Sequence, residues 1–581
     1  MNLVNIVKLK SMMFLLNKIL FLILLMPLAG QFTTPSRFLL KTASYVELDS
    51  LYNQGLKSNI VAEIRTMGDS LTWFGTGQGL ALHNNSTNKV YNHKTLSSSD
   101  TLSNKQTTDL LPYGGIPAIA VQGDTMVVSF SGDNGDIQVG YGLTVTFNAQ
   151  DESGIEWSYY SQPLDLSGEG DSLETFGNVG RFSRLAVTVP EANVTYDADI
   201  HYFVDNLGVS SKYLWITSWA GGLRRIDLDA DFPVWQLIPL PMDNQDSLDL
   251  CNGWDDSQEP PYFPNYYLNP RDPADGGNHN HKAFSVLAFD RTVWVGTANG
   301  INKGRIIREQ ISGEAFNCIQ WEHFSFPDNN LSGNFVVALA RQVDSENVET
   351  IWAATLPADK EGERRGLSYT RDGGLSWNKT LIDQRVYNIT AKGNIVLAAS
   401  ESGLWRSNDG VNWAKYSPAI DNSILSQKQI LTDVVYTSKI DDRTDTLGLW
   451  VGTSDGVAFS KELDGLNWDI YQADYDSSEF YAYPNPFSPR NHNQLGNDGY
   501  IRFHTGQITS QNLILDIFNF SMEKVYQESF NLSNYRGAIK WNGRDSNNNL
   551  VANGVYFARL NFSNNQKGTK KDFWDKFIVV K

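Results

Sequence analysis

The chain has 581 residues, too many for one ordinary core, and its 41% hydrophobic and 19% charged content excludes wholesale disorder. A formal net charge of −18 with no compensating basic cluster excludes a nucleic-acid partner, since such a surface repels a phosphate backbone. Cys251 and Cys318 stand alone, which excludes a disulfide framework and any Cys-x-x-Cys chemistry; the sequence leaves open whether the two pair.

In chain order, Lys8, Lys10 and Lys18 precede the apolar run Ile19 to Ala29, and Gly30 follows. That is the layout of a secretory signal peptide, expected over residues 1–30. As a helix the run rises about 16 Å, short of a bilayer core of about 30 Å. No later stretch is long and apolar enough to span, so the mature chain is expected to be exported without a transmembrane helix.

From about residue 31 to 476 one short pattern recurs. It is clearest in Leu449-Trp-Val-Gly-Thr-Ser-Asp-Gly-Val457, Val293-Trp-Val-Gly-Thr-Ala-Asn-Gly-Ile301 and Thr72-Trp-Phe-Gly-Thr-Gly-Gln-Gly-Leu80. Leu214 to Leu223 carries a turn one residue longer, and looser copies begin at Met126, Ile351 and Ile395. Each copy follows another apolar run: Ile60 to Ile64, Ile116 to Val121, Ile200 to Val204, Phe284 to Phe289, Phe335 to Ala340, Val386 to Ala391 and Ile430 to Tyr436. A third strand follows the Gly turn, and a fourth often begins at a Trp. A unit that repeats and cannot bury both faces alone stacks against its copies, and four short antiparallel strands per unit fit a propeller blade. The expected fold is all-β: a seven-bladed β-propeller, then a small Ig-like β-sandwich.

Several units carry a second mark between their third and fourth strands. Thr370-Arg-Asp372-Gly-Gly374-Leu-Ser-Trp377 is the fullest; Ser407 to Trp413 (with Asp409 and Gly410), Asp464-Gly465-Leu-Asn-Trp468 and Asp151 to Trp157 are variants. The carboxylate accepts backbone N–H bonds across the turn, Gly supplies positive φ, and Trp packs between blades. These turns resemble the Asp-box of sialidase-like and sortilin-like propellers, a resemblance that implies a structural role for Asp372, Gly374, Trp377, Asp409, Gly410, Trp413, Asp464, Gly465 and Trp468. The arginine triad and other groups of a sialidase site have no counterpart here, and none of the 65 acidic residues is singled out as a catalytic pair. No catalytic residue is assigned.

The insert from Pro241 to Lys282 is the most distinctive stretch. Its Asp243, Asp246, Asp249, Asp255, Asp256, His279 and His281 are candidate metal ligands, with calcium the cation that oxygen-rich loops favour. The spacing matches no EF-hand or zinc pattern, and a solvated loop is the simpler expectation; no cofactor is otherwise implied. Ser161 to Asp197 forms a second, acidic insert.

At Ala482-Tyr-Pro-Asn-Pro-Phe-Ser-Pro489 the text changes character, and residues 477–490 are expected to be an extended Pro-rich linker. Residues 491–581 read as alternating strands. Tyr483-Pro-Asn-Pro-Phe487, Trp541-Asn-Gly-Arg-Asp545, Val551 to Phe557 and Lys576 to Lys581 resemble the C-terminal sorting modules of type IX secretion and the related FlgD-type Ig-like domain. Two departures fall near Met522 and at Asn547 to Asn549, where that pattern carries Gly. The resemblance implies a partner in an outer-membrane export machine and a secreted or outer-surface location in a Gram-negative-type bacterium.

The sequence therefore favours an exported, non-catalytic binding protein for an unknown glycan or protein. The rival is an extracellular glycoside hydrolase or lyase with a carboxylate pair in the propeller mouth.

Overall fold

The computed structural model describes residues 52–581 except 98–109, 136, 151–154, 156, 166–170, 177–179, 192, 205–207, 232, 269–278, 312–313, 418, 421–427, 444–445, 474–479, 491–497, 505–511, 532–538 and 564–569. The expected signal peptide and the turn Asp151 to Gly154 lie outside these residues. Among the described residues, seven antiparallel meanders of four or five strands follow one another in sequence. Their first strands are Val61–Met67, Ile119–Gln122, Thr195–Val204, Ala283–Phe289, Phe335–Val343, Val386–Lys392 and Val435–Asp441. Each of these lies beside the next, and the seventh lies beside the first. Sheets set radially around a closed ring of inner strands define a β-propeller.

The recurring motif forms the second strand of each sheet, and its Trp and Gly have separate tasks. Trp73, Trp294 and Trp352 are each buried against the Trp that opens the fourth strand of the following sheet. The pairs Trp73–Trp157, Trp294–Trp377 and Trp352–Trp413 are edge-to-face at 6.5, 6.1 and 6.3 Å, the arrangement that aromatic quadrupoles prefer. The motif glycine marks close approach: a Cβ on Gly452 would sit 2.6 Å from the Val61 carbonyl oxygen of the neighbouring sheet.

Two boundaries differ from expectation for physical reasons. The third inner strand begins at Thr195, ahead of its apolar run, because Asp197 and Asp199 extend it through bonds to the next sheet. In the second sheet the looser motif copy that begins at Met126 turns between Asn134 and Ile137, ahead of the glycines Gly140 and Gly142. Gly142 instead sits in an irregular stretch with φ near 90°, where a Cβ would meet the Tyr160 carbonyl oxygen at 2.4 Å.

The two inserts, one of them (Pro241 to Lys282) expected as a solvated loop, come together. Asp171–Phe176 and Gly180–Leu185 from one pair with Tyr262–Leu268 from the other in a three-stranded sheet. Ser247–Asp249 adds a fifth strand to the fourth meander, and the Cys251–Cys318 disulfide staples the insert there with a Cα–Cα distance of 5.1 Å. Tyr266, Leu268 and Cys251 are buried in the same cluster as Trp215 and Trp321, so this insert is core as well as surface.

Beyond the ring, two sheets share one core around Trp541. One contains Tyr481–Tyr483, Ile501–His504 and Lys540–Trp541; the other contains Asn512–Phe518, Lys524–Asn531, Gly554–Ser563 and Lys570–Val579. Much of the Pro-rich stretch is built into this body: Phe487 is fully buried, and its N–H donates to the Ile578 carbonyl at 2.7 Å. Met522 and Asn548, at the two departures from the Gly pattern, adopt φ of 61° and 65°. Asn tolerates that conformation better than Met does. Among the described residues, no helix is long and apolar enough to cross a membrane.

Candidate functional site

The ring encloses an axial cavity of about 330 Å³ to which inner strands of the sheets contribute. How they contribute is set by one repeated irregularity. The first two strands slip register between Val61 and Glu63, Thr195 and Asp197, Ala283 and Ser285, Val336 and Ala338, Val386 and Asn388, and Val435 and Thr437. A bulge leaves one residue unpaired and re-aims its side chain. The six unpaired residues, Ala62, Tyr196, Phe284, Val337, Tyr387 and Tyr436, all line the cavity, and Pro117 lines it from the second sheet.

The result is a lopsided collar, small at Ala62 and Pro117, aliphatic at Val337 and aromatic at the other four positions. Tyr196 and Phe284 lie 5.3 Å apart, Phe284 and Phe335 4.5 Å, and Tyr387 and Tyr436 5.3 Å. The Arg385 guanidinium lies 5.4 Å from the Tyr387 ring centroid, a cation–π distance, and with Arg364 and Arg365 borders a recess of about 480 Å³ that also touches Phe335.

Polar groups line the same cavity, and most are already engaged. Glu63 pairs with Arg65 at 2.6 Å. Asp197 accepts from the Val286 N–H at 3.0 Å, Asp199 accepts from the Ala288 N–H at 2.7 Å, and His201 Nε2 meets the Asp290 carbonyl at 2.9 Å. This ladder lets side chains of the third inner strand bind the backbone of the fourth. Burial pushes the carboxyls up, Glu63 and Asp199 to about 7 and Asp197 to about 6. Burial also lowers the ammonium of nearby Lys439. The cavity thus offers aromatic faces, hydroxyls, carboxyls and one guanidinium to a ligand having both an apolar face and hydrogen-bonding groups.

The insert's candidate ligands are not gathered. Asp243 accepts from the backbone N–H groups of His279 and Asn280, Asp249 from that of Cys251, and Asp255 from that of Ser257. Asp246 and Asp256 are exposed. His279 Nδ1 lies 3.7 Å from Asp359, while His281 is buried against the Ala220 carbonyl and burial lowers its imidazole to about 3. Among the described residues no group of three or more His, Cys, Asp or Glu is placed to hold a metal ion.

In the turns between third and fourth strands the Asp carboxylates accept hydrogen bonds from nearby residues. Asp372 accepts from the Ser376 N–H and hydroxyl and from Thr370, which lowers its carboxyl to about 2. Asp409 accepts from the Asn412 and Val411 N–H groups and is likewise lowered; Asp464 accepts from the Leu466 N–H. Gly374, Gly410 and Gly465 have positive φ. Trp377 packs on Phe324 of the preceding sheet, Trp413 Nε1 donates to Thr380, and Trp468 is buried with Leu397 and Leu404.

The chain matches no protein-family model and no curated protein. Among solved structures it is similar to the β-propeller domain of Cps50 (Swd1) from Myceliophthora thermophila, at 10% identity and a TM-score of 0.34, covering 73% of this chain and 100% of that one. It is similar to the GH74 enzyme of Niastella koreensis, at 11% identity and a TM-score of 0.39, covering 92% and 67%. PorZ, a surface component of the type-IX secretion system of Porphyromonas gingivalis, is similar at 11% identity and a TM-score of 0.17, covering 91% and 100%. What defines this chain as a β-propeller is its own strand pairing and closed ring.

Proposed function

We propose that the chain is an exported, non-catalytic binding protein of the cell surface or surroundings. In this reading residues 1–30 are a removable signal peptide and 31–476 a seven-bladed propeller with Asp-box turns. Residues 477–490 join it to an Ig-like module, 491–581, by which an export machine delivers it to the outer surface. The observation that carries the binding role is the bulge-built aromatic collar, with four aromatic rings turned into one cavity by the same backbone device. Tyr and Phe in a preformed concave site bind sugar rings or protein side chains at low entropic cost.

A hydrolase is the second reading, favoured by the raised carboxyls of Glu63, Asp197 and Asp199, since a general acid needs such a shift. Against it, Asp197 and Asp199 accept backbone N–H groups and Glu63 holds Arg65. Incubating the protein with plant and bacterial polysaccharides and assaying new reducing ends and unsaturated products separates the two. The expected result is retention of a ligand without turnover. Turnover lost in Glu63→Gln, Asp197→Asn or Asp199→Asn would establish the hydrolase instead.

A further inference from the structure

The seam between the seventh and first sheets is unlike a strand-exchanged closure. Among the described residues, all four strands of the seventh sheet come from one segment, and the early strand Tyr52–Gln54 joins the outer edge of the first sheet, not the seventh. The ring therefore closes through side chains and a few backbone bonds. Two of those bonds involve Asn59, just ahead of the first inner strand: its carbonyl accepts from the Gly456 N–H and its side-chain oxygen from the Ala473 N–H, each at 2.7 Å.

Gly456 belongs to the turn of the clearest sequence motif, and the residue before it, Asp455, is held from the other side by the C-terminal body. Arg502 donates to both Asp455 oxygens at 2.8 and 2.5 Å and to the Gln429 carbonyl at 2.6 Å, with its guanidinium 5.6 Å from the Tyr483 ring centroid. Arg502 and Asp455 are each 6% exposed. Asp455 also accepts from the Leu431 N–H at 2.7 Å, and Lys540 reaches the Gln429 side chain at 3.3 Å. A forked, buried Arg–carboxylate pair is geometrically selective: it forms only if the turn presenting the carboxylate is in place.

We propose that ring closure creates the seat for the C-terminal body, and that the body in turn clasps the seam, so that docking and closure are thermodynamically coupled. Asn59 and Arg502 fix two adjacent residues of one turn. Whichever acts first removes conformational freedom that the other would otherwise have to remove, and the coupling is reciprocal. The coupling stands on the seam geometry alone. Only its consequence, that a delivery module docks on a closed propeller and not on an open one, rests on the function proposed above.

Hydrogen exchange on the full chain, followed by mass spectrometry, tests this. Arg502→Ala is expected to speed exchange at Gly456 and Ala473 by about fivefold or more, although Arg502 bonds to neither amide. Asn59→Ala keeps the carbonyl that accepts from Gly456 and removes the side-chain bond to Ala473; the loosened seam is expected to speed exchange across Ile501–His504 while Asn512–Phe518, inside the C-terminal core, stays protected. Arg544→Ala, which breaks the pair with Asp498 and a bond to the Asn548 carbonyl, both inside the C-terminal body, is the control and should leave the seam unchanged. Should Arg502→Ala also expose Asn512–Phe518, Arg502→Lys is read instead, with seam exchange faster and the core intact. Unchanged exchange at Gly456 and Ala473 in the readable Arg502 variant, or at Ile501–His504 in Asn59→Ala, would overturn the proposal. Failure here leaves the binding role of the axial cavity untouched.

Discussion

Trp450→Ala is expected to lower the unfolding free energy by about 3–5 kcal/mol, the range for deleting a large buried aromatic. Trp450 is fully buried in the seam, where it meets Phe459 at 4.3 Å in its own sheet and His83 and Phe74 of the first sheet at 5.0 and 5.3 Å. In three other sheets the motif Trp rests on a second Trp, as Trp352 does on Trp413; here the mixed group of His83, Tyr471 and Phe74 takes that place. Its Nε1 donates to Asp441 at 3.0 Å, and Asp441 holds Arg443, which reaches Thr72 at 2.8 Å across the seam. The alanine variant thus leaves a cavity and loosens a hydrogen-bond chain that crosses between sheets. Trp450→Phe keeps most of the packing and loses the donor, at a cost of about 1–2 kcal/mol. Urea unfolding of the three proteins checks the order, and a loss below about 1 kcal/mol in Trp450→Ala would contradict this account of closure.

Asp165→Ala is expected to cost a similar amount, about 3–5 kcal/mol, for an electrostatic reason. Asp165 lies between Arg184 and Arg224, all three with side chains no more than 5% exposed, and it also accepts from the Val187 N–H. Deleting it leaves two guanidinium groups buried without their carboxylate. Burial alone would push the Asp165 carboxyl up, but Arg224 and Arg184 more than offset this and hold it well below the usual range. A carboxyl lowered in the folded state contributes stability above its unfolded value of 3.8 and loses it as pH falls further. Wild-type stability should therefore fall below about pH 4 more steeply than that of the variant. Thermal unfolding from pH 3 to 7 measures this; parallel curves would show that Asp165 does not carry the effect.

What the sequence disclosed was local. The Asp372, Asp409 and Asp464 turns close within a few residues, so the residues that make each turn stand next to one another in the chain. The motif Trp is legible for the same reason: Trp, a small spacer and the turn Gly recur together. The collar was not legible, because a bulge adds one residue to a strand and cancels the period of two that marks a buried face. Lining up the repeat units at the start of their inner strands would have revealed it, since Tyr196, Phe284, Tyr387 and Tyr436 each follow a small or β-branched residue at one position. The side sheet was hidden by its parallel pairing between Gly180–Leu185 and Tyr262–Leu268, segments far apart in sequence with no turn between them to announce it. The insert singled out for its acidic and aromatic residues buries Tyr266 and spends Asp243 and Asp249 on backbone groups. Arg502 gave no sequence signal, because its partner Asp455 looks like one more turn residue of a repeat.

Binding at the axial cavity is measured most directly with the wild type and a Tyr387→Ala/Tyr436→Ala double variant, probed side by side on one array of oligosaccharides and envelope proteins. Both side chains are partly exposed in the cavity wall and neither belongs to a main core cluster, so the variant should stay folded. Base affinity loss on removal of two aromatic contacts is expected to be about tenfold or more for whichever probe the wild type retains. Leu375→Ala, at a 91% exposed position in an outer turn, should bind as the wild type does. Equal retention by the double variant and the wild type would contradict the assignment of the cavity as the binding site.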